Sequence, residues 1–175
     1  MNVKNNKRRR ASREKIENAF IALLQTREIK EIAVSDIIKM TGLNRSTFYA
    51  NYIDIFDLAD KTRERLENDF RNLFSDYSDY NYVGEQNGPL KMFTHIKENP
   101  LFYKTYFKLC YNDKHIISIY DIKRAEKEHI DGNVMYHIEF FRNGLNAIIK
   151  MWLANGCQES PEEMAKVLQQ EYRGR

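Results

Sequence analysis

The chain has 175 residues, 42% hydrophobic and 30% charged, with a formal net charge of +3 at pH 7. That balance suits one compact unit, or a small domain joined to a larger one, and excludes a disordered chain. Seven Gly and three Pro are too few for an all-β fold rich in tight turns, and no apolar run approaches the roughly 20 residues of a membrane-spanning helix.

The first predicted element is an amphipathic helix from Ser12, or from as early as Lys7, to about Thr26. Ile16, Ala19, Phe20, Leu23 and Leu24 supply its i, i+3, i+4, i+7, i+8 stripe. Arg27 to Ala33 carries too little pattern to extend it and reads as a connector. A short helix follows from Val34 to Thr41, with Val34, Ile37, Ile38 and Met40 as its inward positions. Gly42 stands where a helix ends in the left-handed conformation, Leu43 is a core candidate, and Asn44 suits the N-cap of a new helix from Arg45 to about Tyr52. Two short helices joined by a three-residue turn containing Gly form the helix-turn-helix signature.

Asp54 is placed to cap a longer helix carrying Phe56, Leu58, Ala59, Thr62, Leu66, Phe70, Leu73, Phe74 and Tyr77. Asn81 to Pro89 contains two Gly and reads as a loop, after which Leu90, Phe93 and Ile96 share one helix face. Asn99-Pro100 breaks the pattern, Leu101 to Tyr111 resumes it with dense aromatics, and a further helix is expected over His115 to Ile130. Val134 to Asn155 is the most apolar helix, carrying Ile138, Phe141, Leu145, Ile148, Ile149, Trp152 and Leu153, and Gly156 stops it. Ser160-Pro161-Glu162-Glu163 is a capping box with Pro at the first helical position, opening a last helix with Met164, Val167 and Leu168 on its apolar side. No segment carries a strand pattern. The expected fold is all-α, with a three-helix helix-turn-helix head over residues 1–54 and an antiparallel helical bundle body over residues 55–175.

Charge is distributed unevenly between these parts. Residues 1–52 hold 11 Lys or Arg against 5 Asp or Glu, a balance of +6, while the other 123 hold 17 against 20. A basic head on a slightly acidic body fits a head that approaches a polyanion, although charge alone fits a solvated surface equally well. Cys110 and Cys157 lack a CxxC spacing and read as reduced structural thiols, and His95, His115, His129 and His137 form no metal-ligand pattern. No nucleophile–base pair or phosphate-binding glycine loop is found, so no enzyme, catalytic residue, metal or cofactor is expected. The basic N-terminus is followed by charged and polar residues from Ser12 to Asn18 rather than an apolar signal core, so a cytoplasmic protein without a membrane partner is expected.

The run Val34-Ser35-Asp36-Ile37-Ile38 through Gly42-Leu43-Asn44-Arg45-Ser46-Thr47-Phe48-Tyr49-Ala50-Asn51-Tyr52 resembles the TetR family of transcriptional regulators over about residues 10–60. Further on, Phe140-Phe141-Arg142-Asn143-Gly144-Leu145, Trp152-Leu153, Gly156-Cys157 and Ser160 to Met164 resemble the subgroup that contains the dihydroxyacetone kinase operon activator. The resemblance implies a DNA-binding head on an α-helical ligand-binding and dimerisation body. It places Tyr49 against the phosphate backbone, Asn51 where the family often has a phosphate-contacting His, and Tyr52 inside the head. Two departures stand out: Ala33 where the family commonly has a capping Thr or Ser, for which Ser35 or a shifted helix start could compensate, and Ile55 where it commonly has a phosphate-contacting Lys.

The N-terminal half of a recognition helix lies against base edges in the major groove. Arg45 can bond guanine bidentately, Ser46 and Thr47 can reach a base or phosphate, and Asn44 lies at the same end. Ser35, near the start of the first motif helix, suits a phosphate. Phe48 is a core residue. The arm Lys7-Arg8-Arg9-Arg10 reads either as a minor-groove contact or as a solubilising tail. Of 22 aromatics, 18 follow Tyr52, and Phe93, Phe102, Tyr103, Tyr106 and Phe107 are candidates to line an effector pocket, or else core. Phe141, Leu145, Ile148, Ile149, Trp152, Met164 and Leu168, from the last two helices, are the candidate dimer interface. The function expected is sequence-specific binding of a palindromic double-stranded DNA operator by a homodimer, controlled by a small molecule or a regulatory protein. The alternative is a regulator that acts mainly through a protein partner and binds DNA weakly.

Overall fold

The computed structural model describes residues 3–73, 88–109 and 133–173, which are helical apart from short connections and include no strand. The chain divides into two compact units, Met1–Asn68 and Asp69–Arg175. The helices are α1 (Val3–Leu24), α2 (Val34–Thr41), α3 (Arg45–Tyr49), α4 (Ile55–Leu73), α5 (Gly88–Glu98), α6 (Pro100–Leu109), α7 (Val134–Ala154) and α8 (Pro161–Arg173). Among the described residues no helix is long and apolar enough to cross a membrane. The expected helix over His115 to Ile130 lies outside the described residues, as do Phe74, Tyr77, Cys110, Tyr111 and the loop up to residue 87.

In the first unit, Ile16, Ala19, Phe20 and Leu24 of α1 are buried with Ile37, Phe48, Tyr52, Leu58 and Ala59. The connector between α1 and α2 holds a short 3-10 turn, Ile29–Glu31, and buries Ile29 and Ile32. Gly42 takes φ 68°, the left-handed conformation in which a residue with a Cβ is strained, and its N–H closes on the Ile38 carbonyl at 2.9 Å. The α2 bounds match the sequence reading, whereas α3 stops at Tyr49 and Ala50-Asn51 form a turn instead of a final helical residue pair. Two expected inward positions are exposed: Met40 at 55% and Phe56 at 60%. Phe56 stands two residues before buried Leu58 and so on the far side of α4, whereas helical spacing does not explain Met40, three residues after buried Ile37.

The second unit is organised round one apolar cluster. Met92, Phe93 and Ile96 of α5, Tyr103 of α6, Leu145, Ile149, Trp152 and Leu153 of α7, and Met164, Ala165 and Leu168 of α8 are all buried in it. Phe93 meets Trp152 edge to face, with centroids 5.4 Å apart. Between α7 and α8, Gly156 and then Cys157 turn the chain at φ 73° and 54°. Cys157 is free and buried, and burial pushes its thiol pKa up. The predicted capping box at α8 is present in both halves: the Ser160 N–H donates to Glu163 Oε2 at 2.7 Å, and the Glu163 N–H donates to Ser160 Oγ at 3.1 Å.

Candidate nucleic-acid interface

The outer side of the helix-turn-helix carries a run of uncommitted polar groups. Ser35, Asn44, Arg45 and Ser46 are exposed, Thr47 is half-buried, and Tyr49 is 55% exposed. Asn44 takes the extended N-cap conformation, but its side chain makes no capping bond; its carbonyl accepts from the Thr47 N–H at 2.9 Å and the Phe48 N–H at 3.3 Å. Among the described residues Arg45 has no ion pair and the Ser35 and Ser46 hydroxyls have no partner. Phe48, on the opposite side of α3, is fully buried and holds Tyr49 edge to face at 5.5 Å.

Several other charges in this unit are paired. Arg10 bonds Glu14 at 3.1 Å, Arg27 bonds Asp36 at 3.2 Å, and Lys61 bonds Asp57 at 2.8 Å. Glu17, buried on α1, accepts from the Tyr52 hydroxyl at 2.8 Å, bonds Arg65 of α4 at 2.8 Å, and lies 3.8 Å from Arg13. Burial and the bond to Glu17 push the Tyr52 hydroxyl up to about 12, so it remains a donor. Tyr52 therefore ties α1 to the turn after α3 rather than reaching outward.

The two departures at Ala33 and Ile55 resolve differently. Ala33 is the N-cap of α2 and has no side chain to cap with, but its own N–H donates to Asp36 Oδ2 at 3.0 Å. Asp36, rather than Ser35 or a shifted start, supplies the compensating bond: the carboxylate half of a capping box. Ile55 is buried at the start of α4, and Asp54 and Asp57 cap that helix through the Asp57 and Ile53 N–H groups at 2.8 and 2.9 Å. Lys61 is held by Asp57 and lies 5.5 Å over the Tyr52 ring, so it does not stand in for a lysine at position 55.

The basic arm is part of a helix. Lys7, Arg8, Arg9 and Arg10 lie in α1, not in an extended tail, and all are exposed. Arg9 Nε donates to Asn51 Oδ1 at 3.3 Å and Arg9 Nη2 to the Ala50 carbonyl at 3.2 Å, while Asn51 Nδ2 donates to the Thr47 carbonyl at 2.7 Å. Asn51 is thus engaged within the head.

In the second unit the candidate pocket aromatics pack together. Phe93 and Tyr103 belong to the buried cluster, Phe102 and Phe107 pack against it, and Tyr106 is buried with its ring 5.6 Å from Phe107. Burial pushes the Tyr103 phenol pKa up and the His95 pKa down, and the two groups meet at 2.7 Å, a neutral pair. Asn146 on α7 is 3% exposed, and among the described residues neither its Oδ1 nor its Nδ2 has a partner. Of the seven candidate interface residues, Leu145, Ile149, Trp152, Met164 and Leu168 lie in the subunit's own core, with Phe141 and Ile148 packed against it. That correction has a simple cause: the strongest apolar stripe of an amphipathic helix is drawn first to its own core. The opposite side of α7 exposes Tyr136, Phe140, Gly144, Ala147 and Met151, spaced i, i+4, i+8, i+11 and i+15.

Sequence reasoning missed Glu17, Asp36 and the Arg9 clamp. Glu17 interrupts an apolar stripe, and Asp36 stands three residues after Ala33, so both left a readable trace; Arg9 is 42 residues from Asn51 and left none.

Comparison with known proteins agrees with this architecture. A family model described as the transcriptional regulator C-terminal region of the TetR type matches residues 85–173. The HTH-type dhaKLM operon transcriptional activator DhaS of Lactococcus lactis subsp. lactis (strain IL1403) is 36% identical over 109 aligned residues, covering 59% of this chain and 53% of that protein. The match thus spans about half the length of that curated relative. A solved structure, the dihydroxyacetone kinase operon activator DhaS, superposes with a TM-score of 0.50 over 90% of this chain and 91% of that one, at 24% identity, and so shares the fold.

Proposed function

Since the chain belongs to the TetR family of transcriptional regulators, we propose that it binds a palindromic DNA operator as a homodimer, through α2 and α3, under the control of a second ligand or partner. The observation that carries this reading is the contrast within the head. Arg10, Arg27 and Lys61 are each held by a carboxylate of the head, while among the described residues the side chains of Ser35, Asn44, Arg45 and Ser46 stand exposed and without a partner in one helix-turn-helix. Phosphates and base edges are the partners that such donors fit. Arg45 serves as the base-reading fork, Ser46 and Thr47 reach base or phosphate, and Tyr49 and Ser35 contact the backbone; Lys7 and Arg8 on α1 add cationic surface.

The exposed face of α7 supports dimerisation. Tyr136, Phe140 and Met151 are more than half exposed, and among the described residues no neighbouring element lies within 4 Å of where a Gly144 side chain would begin. Small residues flanked by large apolar ones let the same helix of a second copy approach closely, and a two-fold axis then matches an inverted repeat. Effector control is assigned to the second unit. Its support is Asn146, because a buried amide without partners is rare and costly unless something fills its bonds.

A second reading, in which a protein partner supplies much of the function, is favoured by the burial of Ile55 and the engagement of Lys61. A gel shift on the DNA upstream of its own gene, with and without Arg45→Ala, separates the two. Arg45→Ala is expected to weaken binding by roughly 1–3 kcal/mol and relax preference at one base position. Unchanged affinity and footprint would remove Arg45 from the base-reading set.

A further inference from the structure

The recognition helix is unusually dependent on its surroundings. With five residues, α3 has room for very few internal hydrogen bonds, and its orientation must be fixed from outside. One side is fixed by burial of Phe48 and Tyr52. The end of the helix is gripped by an exposed side chain from α1, since the Arg9 guanidinium donates to both the Ala50 carbonyl and Asn51 Oδ1. Asn51 passes the contact on by donating to the Thr47 carbonyl at 2.7 Å. A cation at the C-terminal end of a helix also meets the carbonyls that have no helical partner.

We propose that Arg9 is a positioning residue for DNA recognition: it clamps the C-terminal end of α3 through Ala50 and Asn51 and so sets the angle at which Arg45, Ser46 and Thr47 meet a duplex. This rests on the proposed DNA-binding role. It assigns Arg9 an intramolecular partner where a basic arm alone would suggest a phosphate. The fork geometry matters, because two acceptors are held by two different nitrogens, and a lysine ammonium on a flexible stem does not reproduce that arrangement.

The test compares the wild-type chain with Arg9→Ala and Arg9→Lys in two measurements. Hydrogen exchange of the DNA-free protein is expected to speed up about threefold to tenfold at Phe48 to Tyr52 in both variants, as for loss of one exposed charge-assisted contact. Binding to an inverted-repeat operator selected from random duplex is expected to fall about tenfold in both. Affinity for non-operator duplex and the salt slope should stay at wild-type values. Unchanged exchange at Phe48 to Tyr52 overturns the clamp. So does an equal loss on operator and non-operator duplex with a salt slope smaller by about one and rescue by Arg9→Lys, the signature of a phosphate contact. Faster exchange in a chain whose wild type selects no duplex would uphold the clamp and contradict the DNA-binding reading instead.

Discussion

In the unit Asp69–Arg175 the helices meet along apolar stripes: Trp152, Phe93, Ile149 and Leu168 share one cluster, and the polar bonds lie at its margins. Lys97 Nζ and Trp152 Nε1, for instance, both donate to the Glu159 carbonyl, at 3.0 and 3.3 Å. In the unit Met1–Asn68 the motif helices have eight and five residues, and directional contacts recur at each of their junctions. Asp36 holds the start of α2, Asp54 and Asp57 hold the start of α4, and Glu17 joins α1 to Tyr52 and Arg65. The difference follows from length. A long helix buries enough side-chain area to fix its own position, whereas a short one buries one or two residues and leaves its orientation to hydrogen bonds. For the proposed DNA-reading surface, which would present Arg45 and its neighbours at a set angle, bonds with direction are the better restraint.

Three substitutions would break or sharpen this contrast. The largest effect is expected from Trp152→Ala, which empties the centre of the apolar cluster and should cost about 3–5 kcal/mol in denaturant unfolding followed by circular dichroism. A loss below about 1 kcal/mol would mean that the cluster is not what holds the second unit. Next comes Glu17→Ala, which strips Tyr52 and Arg65 of their shared acceptor. A cost of about 2 kcal/mol is expected, read as faster hydrogen exchange in α1 and at Tyr52 with the second unit unaffected. Should Glu17→Leu prove as stable as wild type, the head would be held by burial after all. The smallest effect is expected from Asp36→Ala, about 1 kcal/mol, since it removes only the bond to the Ala33 N–H and an exposed pair with Arg27. A thermal scan of this variant against Ser35→Ala, expected to be neutral, assigns the capping role to one residue or the other.

The same division decides what could be read from the sequence. Val34 to Thr41, Gly42 and the Ser160 to Glu163 capping box were legible because each depends on residues within four positions of one another. Apolar periodicity located α7 and α8, but it could not say which neighbour the stripe faces. The residues expected between subunits therefore turned up inside one, and the exposed face of Tyr136, Phe140 and Met151 went unread. In the head, Arg9 and Asn51 are far apart in sequence and carry no pattern that pairs them, so a basic run looked like a free arm. The exposed groups of α3 were legible because the motif itself fixes which side of the helix is left outside.

The central claim, that the uncommitted polar face of α2 and α3 reads DNA, is tested most directly by selecting bound sequences from random duplex DNA with the wild-type chain. The account predicts enrichment of an inverted repeat, bound by two chains, with Arg45→Ala loosening one position in each half-site. Recovery of unenriched sequence at physiological salt, by a folded protein, would contradict it.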